Sequence, residues 1–513
     1  MEFDHRPLIF LDCQTTGMRP PKGQILEIAW QRDSQLHSFI TKVPEGETIP
    51  PRVQEITGLT DQDTVNGSTV EEIFTSLKLA LSPTALLVIH YAQFERPFLL
   101  DLFERFDQAR ELPVEVICTH QLTKLLFPSL PSRNLRATAG FFGPAVLGPN
   151  RAETFVKATV QIWEGLKSDL EQRGIQDFES LRCFLSTKPN KKSASRYEYR
   201  LDRIKRLELP DQPGVYRMLA KNGEILYVGK ATSLKNRVNS YFRGKKNRDH
   251  KKLEMLAQVW DLRVTVTRSP LEAALLESDE IKKHDPPYNI VMKRGRRHLV
   301  FYSRDFKSSA LTSDEEHIIG PFRNQNWMEH LRLLESSLEN GKFEQIFFDP
   351  LEPELLSKGF DLFLALHNLQ CSEINTVRTM LAYGLWLHKN YVEPEENEIE
   401  LNETDGDEQA EAEAEVTPED LAGKFERLFR RAGAEYWKTR RINRLLNSKV
   451  NYTYRDQTLE LCFVLGSLCD NQSGVTDSTT ATQLWEPLDL ATFDRMSVLL
   501  SELNKYSHRI DSF

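Results

Sequence analysis

Residues 391–420 contain 14 Asp and Glu and no Lys or Arg. A stretch of that composition carries too little apolar surface to offset the entropy lost on ordering. The chain is therefore expected to fold as separate parts. An acidic disordered linker is expected at 393–420, a mostly helical domain at 421–513, and an α/β or helical region of unknown role at 299–392. A second divider, TKPNKKSASRYEYRLDRIKR at 187–206, is basic, polar and without period, and 183–206 reads as a basic linker. The segments 1–182 and 207–298 read as compact α/β domains, which suits a 513-residue chain of roughly two to four domains.

The net charge of −9 sums opposing blocks: residues 201–300 carry 22 Lys and Arg against 12 Asp and Glu. A basic module inside an acidic chain points to a local polyanion site. At 40% hydrophobic and 27% charged residues, the composition is that of an ordinary globular protein. No apolar run approaches the ~18 residues of a membrane span, and MEFDHRPLIF lacks the layout of a signal peptide. Cys13, Cys118, Cys183, Cys371, Cys462 and Cys469 show no Cys-x-x-Cys spacing. No membrane, no disulfide framework and no zinc site are expected, and a reducing cytoplasm fits.

The first domain opens on apolar strands, LIFLD, QILEIAW and LHSFITKV. An amphipathic helix VEEIFTSLKLAL, a buried strand ALLVIH, a helix around FERPFLLDLFERF and a long helix ending at Gly174 follow. The first strand runs into Asp12-Cys13-Gln14-Thr15-Thr16-Gly17. Two-metal nucleases hold their ions with carboxylates at such strand ends, and an amide cannot neutralise an ion.

On these residues the first domain resembles the DEDD (DnaQ-like) 3′→5′ exonuclease family. Asp12 to Gly17 is similar to its Asp-x-Glu-Thr-Thr-Gly, with Gln14 for Glu. Ile56-Thr57-Gly58-Leu59-Thr60 and His90-Tyr91-Ala92-Gln93-Phe94-Glu95 are similar to two further motifs, with Glu95 for Asp. Asn150-Arg151-Ala152-Glu153-Thr154-Phe155-Val156 sits where the family has His-Arg-Ala-x-x-Asp-Ala, so Asn150 replaces the general base and Phe155 the last acid. Glu153 lies about 200° from position 155 around a helix and faces elsewhere. The resemblance implies an RNase H-like fold, and the departures imply a degenerate site of Asp12, Gln14, Glu95, Asn150 and Phe155. The alternative is residual one-metal exonuclease chemistry on Asp12 and Glu95.

The second domain carries two short strands, GVYRMLA and ILYVGK, joined by Lys221-Asn222-Gly223-Glu224, a hairpin signal. Helical stretches, an alternating strand RVTVTR and the helix LEAALLESDEIKKH follow. Phosphodiester hydrolysis needs a base for water, a charge on the phosphate and help for the leaving oxygen. Arg237 is a permanently charged fork. Glu277, after Leu275 and Leu276, is costly on an apolar helix face unless partnered, for instance by Mg²⁺. Tyr216 and Tyr227 lie on neighbouring strands, where one is a candidate base, made more acidic by Lys230 or a metal.

This segment resembles the small α/β GIY-YIG nuclease domain of UvrC and the Cho excinuclease. The match lies in Gly214-Val215-Tyr216, Tyr227-Val228-Gly229-Lys230, Arg237, Tyr241, Glu277 and Asn289. The resemblance implies Tyr227 as base, Glu277 as ligand of one Mg²⁺ (or Mn²⁺), and Tyr241 and Asn289 as supporting partners. Lys245, Lys246, Arg248, Lys251 and Lys252, with Lys293, Arg294, Arg296 and Arg297, flank it and would neutralise phosphates without reading bases. The implied function is a Mg-dependent single-strand incision, 3′ to a lesion in double-stranded, damaged DNA, in nucleotide excision repair with a UvrB-like helicase. A structure-specific endonuclease outside repair is the alternative.

Overall fold

The computed structural model describes all residues except Met1, Glu45, 188–196, 244–248, 290–297, 324–325, 344–345, 348–350, 391–415, 470–487 and Phe513. The chain forms two compact units: Met1–Ala273 with Lys283–Lys293, and Ala274–Lys282 with Arg294–Phe513. Most of the expected acidic linker, and part of the basic one, lie outside the described residues. No helix among the described residues is long and apolar enough to cross a membrane.

The first unit begins with a six-stranded sheet. Its strands are β1 (Glu2–Phe3), β2 (Arg6–Thr15), β3 (Ile25–Arg32), β4 (Gln35–Ile40), β5 (Leu86–Ile89) and β6 (Glu115–Cys118). The order is β4-β3-β2-β5-β6, with β1 also on β2; β2, β3 and β4 pair antiparallel, while β5 and β6 run parallel to β2. Central β2 is buried on both faces, as a strand covered by helices on each side must be. Leu8 and Phe10 enter one core, and Ile9, Leu11 and Cys13 enter the other. The helices are α1 (Pro51–Thr57), α2 (Asp61–Thr64), α3 (Val70–Ala80), α4 (Ala92–Asp107), α5 (Thr119–Leu126), α6 (Leu135–Phe142), α7 (Ala152–Gln172) and α8 (Phe178–Leu185). Thr69 and Glu72 form a reciprocal cap at the start of α3. Glu27 on β3 is buried and accepts from Arg151 Nε and Nη2 and from Ala152 N, at 2.8–3.1 Å. The carboxylate thus fixes the N-terminus of α7, where an anion is favoured.

The same unit continues with α9 (Arg203–Leu207), β7 (Gly214–Leu219), β8 (Ile225–Ala231), α10 (Leu234–Ser240), α11 (His250–Gln258), β9 (Asp261–Val266) and the first turn of α12 (Pro270–His284). The sheet order β8-β7-β9 is antiparallel throughout. The β7–β8 turn places Gly223 at φ 84°, the left-handed region. Helix α6 packs against both α7 and α11. Gly140 on α6 touches the Gln258 side chain, and Trp260 Nε1 donates to Gly140 O at 2.7 Å. Arg200 lies 4.0 Å over the Phe141 ring and 5.3 Å over Trp260, and donates to Phe141 O at 3.0 Å. The two parts of this unit therefore share a close-packed boundary.

The second unit holds β10 (Val300–Tyr302), β11 (Ser309–Ala310), β12 (Ile319–Phe322), α13 (Asn326–Asn340), α14 (Pro353–Leu366), α15 (Val377–Asn390), α16 (Pro418–Leu446), β13 (Ser448–Tyr454), β14 (Gln457–Val464), β15 (Ser467–Leu468), α17 (Leu490–Leu503) and β16 (His508–Ser512). Thr417 and Asp420 cap α16, so the last acids of the 391–420 tract are helical. The run NYTYRDQTLELCFVL is a hairpin in a four-stranded sheet, β15-β14-β13-β16. Its turn residues Arg455 and Asp456 sit at φ 48° and 62°, a costly conformation off glycine that carries no obvious sequence signal.

Arg151 keeps 36% of its side chain exposed while Glu27 keeps 1%. Arg151→Ala should therefore cost about 2–3 kcal/mol, below the roughly 3–5 kcal/mol of a fully buried pair. Denaturant unfolding would read it, and a midpoint unchanged from wild type would remove the pair from the fold's supports.

Candidate active site

The first candidate cluster sits at the C-terminal end of β2. Asp12 and Glu95 are both 4% exposed. Burial, then for Asp12 the charge of Glu27 and for Glu95 that of Asp12, pushes both carboxyls well above the usual range; only a hydrogen bond from Gln14 opposes this at Asp12. Gln14 Nε2 donates to Asp12 Oδ2 at 2.9 Å. One N–H of the amide is thus committed to the Asp12 carboxyl. Glu95 Oε2 is buried without a hydrogen-bond partner. Asn150 Oδ1 accepts from Arg136 Nη2 at 2.8 Å, and Arg136 lies 5.4 Å over the Phe155 ring, which packs against the core. Glu153 pairs with Lys157 along α7. Two acids, an amide turned donor, an amide bound to arginine and an aromatic ring do not fit a two-ion centre. Among the described residues no group of three or more His, Cys, Asp or Glu could hold a metal.

The second cluster sits on the β7–β8 hairpin and α10. Tyr216 is fully buried, and its hydroxyl lies 2.9 Å from that of Tyr241, the residue closing α10. Tyr216 faces Gly229 across the ladder, with Tyr227 diagonal on the same face; the Tyr216 ring is 6.1 Å from Tyr227 and 6.0 Å from Tyr241. A Cβ at Gly229 would collide with the Tyr216 hydroxyl and the Tyr227 ring, so the glycine is what allows the two phenols to converge. Burial, then Tyr241 and Tyr227, drives the Tyr216 phenol far above its ordinary pKa; it stays protonated. Arg237, in the last turn of α10, hydrogen-bonds Tyr216. Burial opposes its charge, yet Tyr216, Tyr241 and Tyr227 together raise it above the ordinary guanidinium value. Arg237 and Lys252 lie 5.5 and 4.7 Å over the Tyr241 ring.

Asn289 grips the strand that carries Tyr227. Its Oδ1 accepts from Val228 N at 2.9 Å and its Nδ2 donates to Val228 O at 2.8 Å. The structure thus brings together Tyr216, Tyr227, Arg237, Tyr241 and Asn289. Lys230 is half-buried on β8, opposite Val215. Strand alternation starts its side chain on the sheet face opposite Tyr227, and Arg237 and Lys252 are the cations lying over the Tyr241 ring. Glu277 is half-buried at mid-α12, in that helix's share of the second unit. Lys251 and Lys252 are exposed in the first turn of α11; Lys245, Lys246, Arg248, Lys293, Arg294, Arg296 and Arg297 lie outside the described residues.

Residues 212–290 match the family model of the UvrC-like GIY-YIG domain, and residues 9–147 match that of the exonuclease family. The chain carries an exonuclease-family domain followed by a UvrC-like GIY-YIG domain. A Mycobacterium tuberculosis protein, named as a bifunctional exonuclease/endonuclease, is 29% identical over 341 residues, 64% of this chain and 51% of that protein. UvrABC system protein C of a Psychrobacter species is 52% identical over 107 residues, 20% of this chain and 17% of that protein. The chain therefore spans about half the length of the first relative and about a sixth of the second. Among solved structures, the magnesium-bound GIY-YIG N-terminal endonuclease domain of UvrC from Thermotoga maritima is 36% identical. That match covers 17% of this chain and 94% of that one, with a TM-score of 0.16.

Three residues around the GIY-YIG domain escaped the sequence reading: Asn134, Glu254 and Tyr288. Only Tyr288 carried a signal, as the neighbour of Asn289. Asp12 and Glu95 give a pH test. Their folded pKa values are raised, so the stability they contribute is full below the unfolded carboxylate range of about 4 and is lost as pH rises through the folded values. Glu95→Gln should gain about 1–3 kcal/mol over wild type near neutral pH, and the gap should close on acidification toward about pH 4. A gain that does not vary with pH would contradict the strained-pair reading.

Proposed function

We propose that this chain is a metal-dependent DNA endonuclease acting through its GIY-YIG domain. The exonuclease-family domain is kept for its fold. The observation that carries this reading is the convergence of Tyr216, Tyr227 and Tyr241 on Arg237, on a strand held by Asn289. Arg237 binds and orients the scissile phosphate with its paired donors. Tyr227, half-exposed, takes the proton of the attacking water at its hydroxyl oxygen, aided by the Arg237 charge. Protonated Tyr216, with Tyr241, fixes Arg237.

Glu277 would hold the divalent cation, since Mg²⁺ commonly takes one or two carboxylates with water and phosphate oxygens completing its shell. When bound, the ion supplies positive charge to the phosphate and leaving oxygens. Exposed Lys251 and Lys252 supply salt-dependent phosphate contacts without base readout. The product is a single-strand nick. The likeness of residues 212–290 to UvrABC system protein C supports incision 3′ to a lesion in excision repair with a UvrB-type partner.

A plasmid-nicking assay with Mg²⁺ tests the site. Arg237→Ala, Glu277→Gln and Tyr227→Phe should each lower the rate by about 10²–10⁴, and Tyr216→Phe by less. Equal nicking by all variants would sink the assignment. Lesion-containing duplex and branched DNA, each with and without a UvrB-type helicase, separate the repair reading from a structure-specific one.

The buried, partnerless Glu95 Oε2 favours one further reading, a residual exonuclease that holds a single ion between Asp12 and Glu95. Full-length Glu277→Gln protein should show no Mg²⁺-dependent 3′→5′ degradation of single-stranded DNA. Degradation that disappears on adding Asp12→Ala would establish the residual activity instead.

A further inference from the structure

The exonuclease-family domain reaches into the support of the GIY-YIG site. Asn134 is the N-cap of α6: its Oδ1 accepts from Ala137 N at 2.9 Å, and its Nδ2 donates to Glu254 Oε2 on α11 at 2.5 Å. The other oxygen of Glu254 accepts from the Tyr288 hydroxyl at 2.6 Å, and that hydroxyl accepts from Gln258 Nε2 at 2.6 Å. Burial, followed by Glu254, lifts the Tyr288 phenol far above its ordinary pKa, so it remains the donor. Tyr288 N bonds Leu226 O at 3.2 Å, and the next residue, Asn289, holds both backbone groups of Val228. Tyr227 stands between those two anchor points.

The other side of α6 is fastened by what became of the exonuclease site. Arg136 donates to Val146 O, to Gly148 O at 2.6 Å and to Asn150 Oδ1 at 2.8 Å, and lies over Phe155. Two of the four departures from the exonuclease pattern, Asn150 and Phe155, therefore meet on one arginine of this helix.

We propose that Asn134, Glu254 and Tyr288 are positioning residues through which the exonuclease-family domain fixes the strand bearing Tyr227. This deepens the endonuclease reading and rests on it for its catalytic consequence. The strut itself is read without catalysis, by amide hydrogen exchange on the full-length protein. In Asn134→Ala and in Tyr288→Phe, exchange at Val228 N–H should rise about tenfold or more. Exchange at Ala220 N–H, bonded to Glu224 O in the hairpin turn, should hold. Glu254→Gln keeps one oxygen to accept from Tyr288 but turns an NH2 donor toward Asn134 Nδ2, so it should raise Val228 exchange as Asn134→Ala does.

In the nicking assay, Asn134→Ala and Tyr288→Phe should each lose about tenfold in kcat with KM for DNA unchanged. The double variant should lose no more than the worse single, because both cut one path. Unchanged Val228 exchange overturns the strut whatever the nicking result. Raised exchange with wild-type kcat overturns its role in catalysis. Raised exchange in a wild-type background that does not nick at all leaves the strut standing and rejects the endonuclease reading instead.

Discussion

The joining of the two parts of the first unit depends on the close approach at Gly140. A helix of eight residues is packed on α7 behind it and on α11 in front. Any side chain at Gly140 would strike Gln258, and its carbonyl is the acceptor for the Trp260 indole. Packing this tight is intolerant of added volume. It fixes where α11 lies, hence where Glu254 and Lys252 are, and so the surroundings of Tyr241 and Tyr288. Arg200, arriving from the linker, covers the same seam with its guanidinium over Phe141 and Trp260.

The chemistry of the two clusters differs in how each deals with buried polar groups. At β2, Gln14, Asn150 and Phe155 stand at the positions where the exonuclease pattern has an acid, a base and an acid. Each replacement found a local use, as a donor to Asp12, an acceptor for Arg136 and a ring beneath that same guanidinium. What remains is a pair of carboxyls that prefer their protons. At the β7–β8 hairpin the opposite holds. A guanidinium is kept charged among phenols, one of them locked as a donor, in the manner of a site prepared to receive an anion.

Much of this was legible in the residues. The apolar strand ending in Asp12, the GVY and YVG strands with their Lys221–Glu224 turn, and the helical runs of α3, α4 and α7 rest on periodicity and turn chemistry, which are local. The identity of the residues at 14, 150 and 155 gave the departures directly. Their new partners could not be read, because Arg136 lies 14 residues from Asn150 and comes to it only through the packing of α6. Asn134 and Glu254, 120 residues apart, left no trace for the same reason. The Arg455–Asp456 turn stayed hidden because it lacks the glycine that usually marks a tight hairpin and puts an arginine in the left-handed region.

The shared seam has a consequence for modularity. A family boundary drawn at 212–290 is a boundary of ancestry and not of solubility. Excising that piece would bare Ala257, which belongs to the core of the neighbouring domain, along with Gln258 and Trp260. It would also strip away Leu201, Ala145 and Leu147, which complete the piece's own core. The fragment would present a sticky apolar face that the parent buries at this seam, so the smallest well-behaved nuclease obtainable from this chain is one that keeps its exonuclease-family domain.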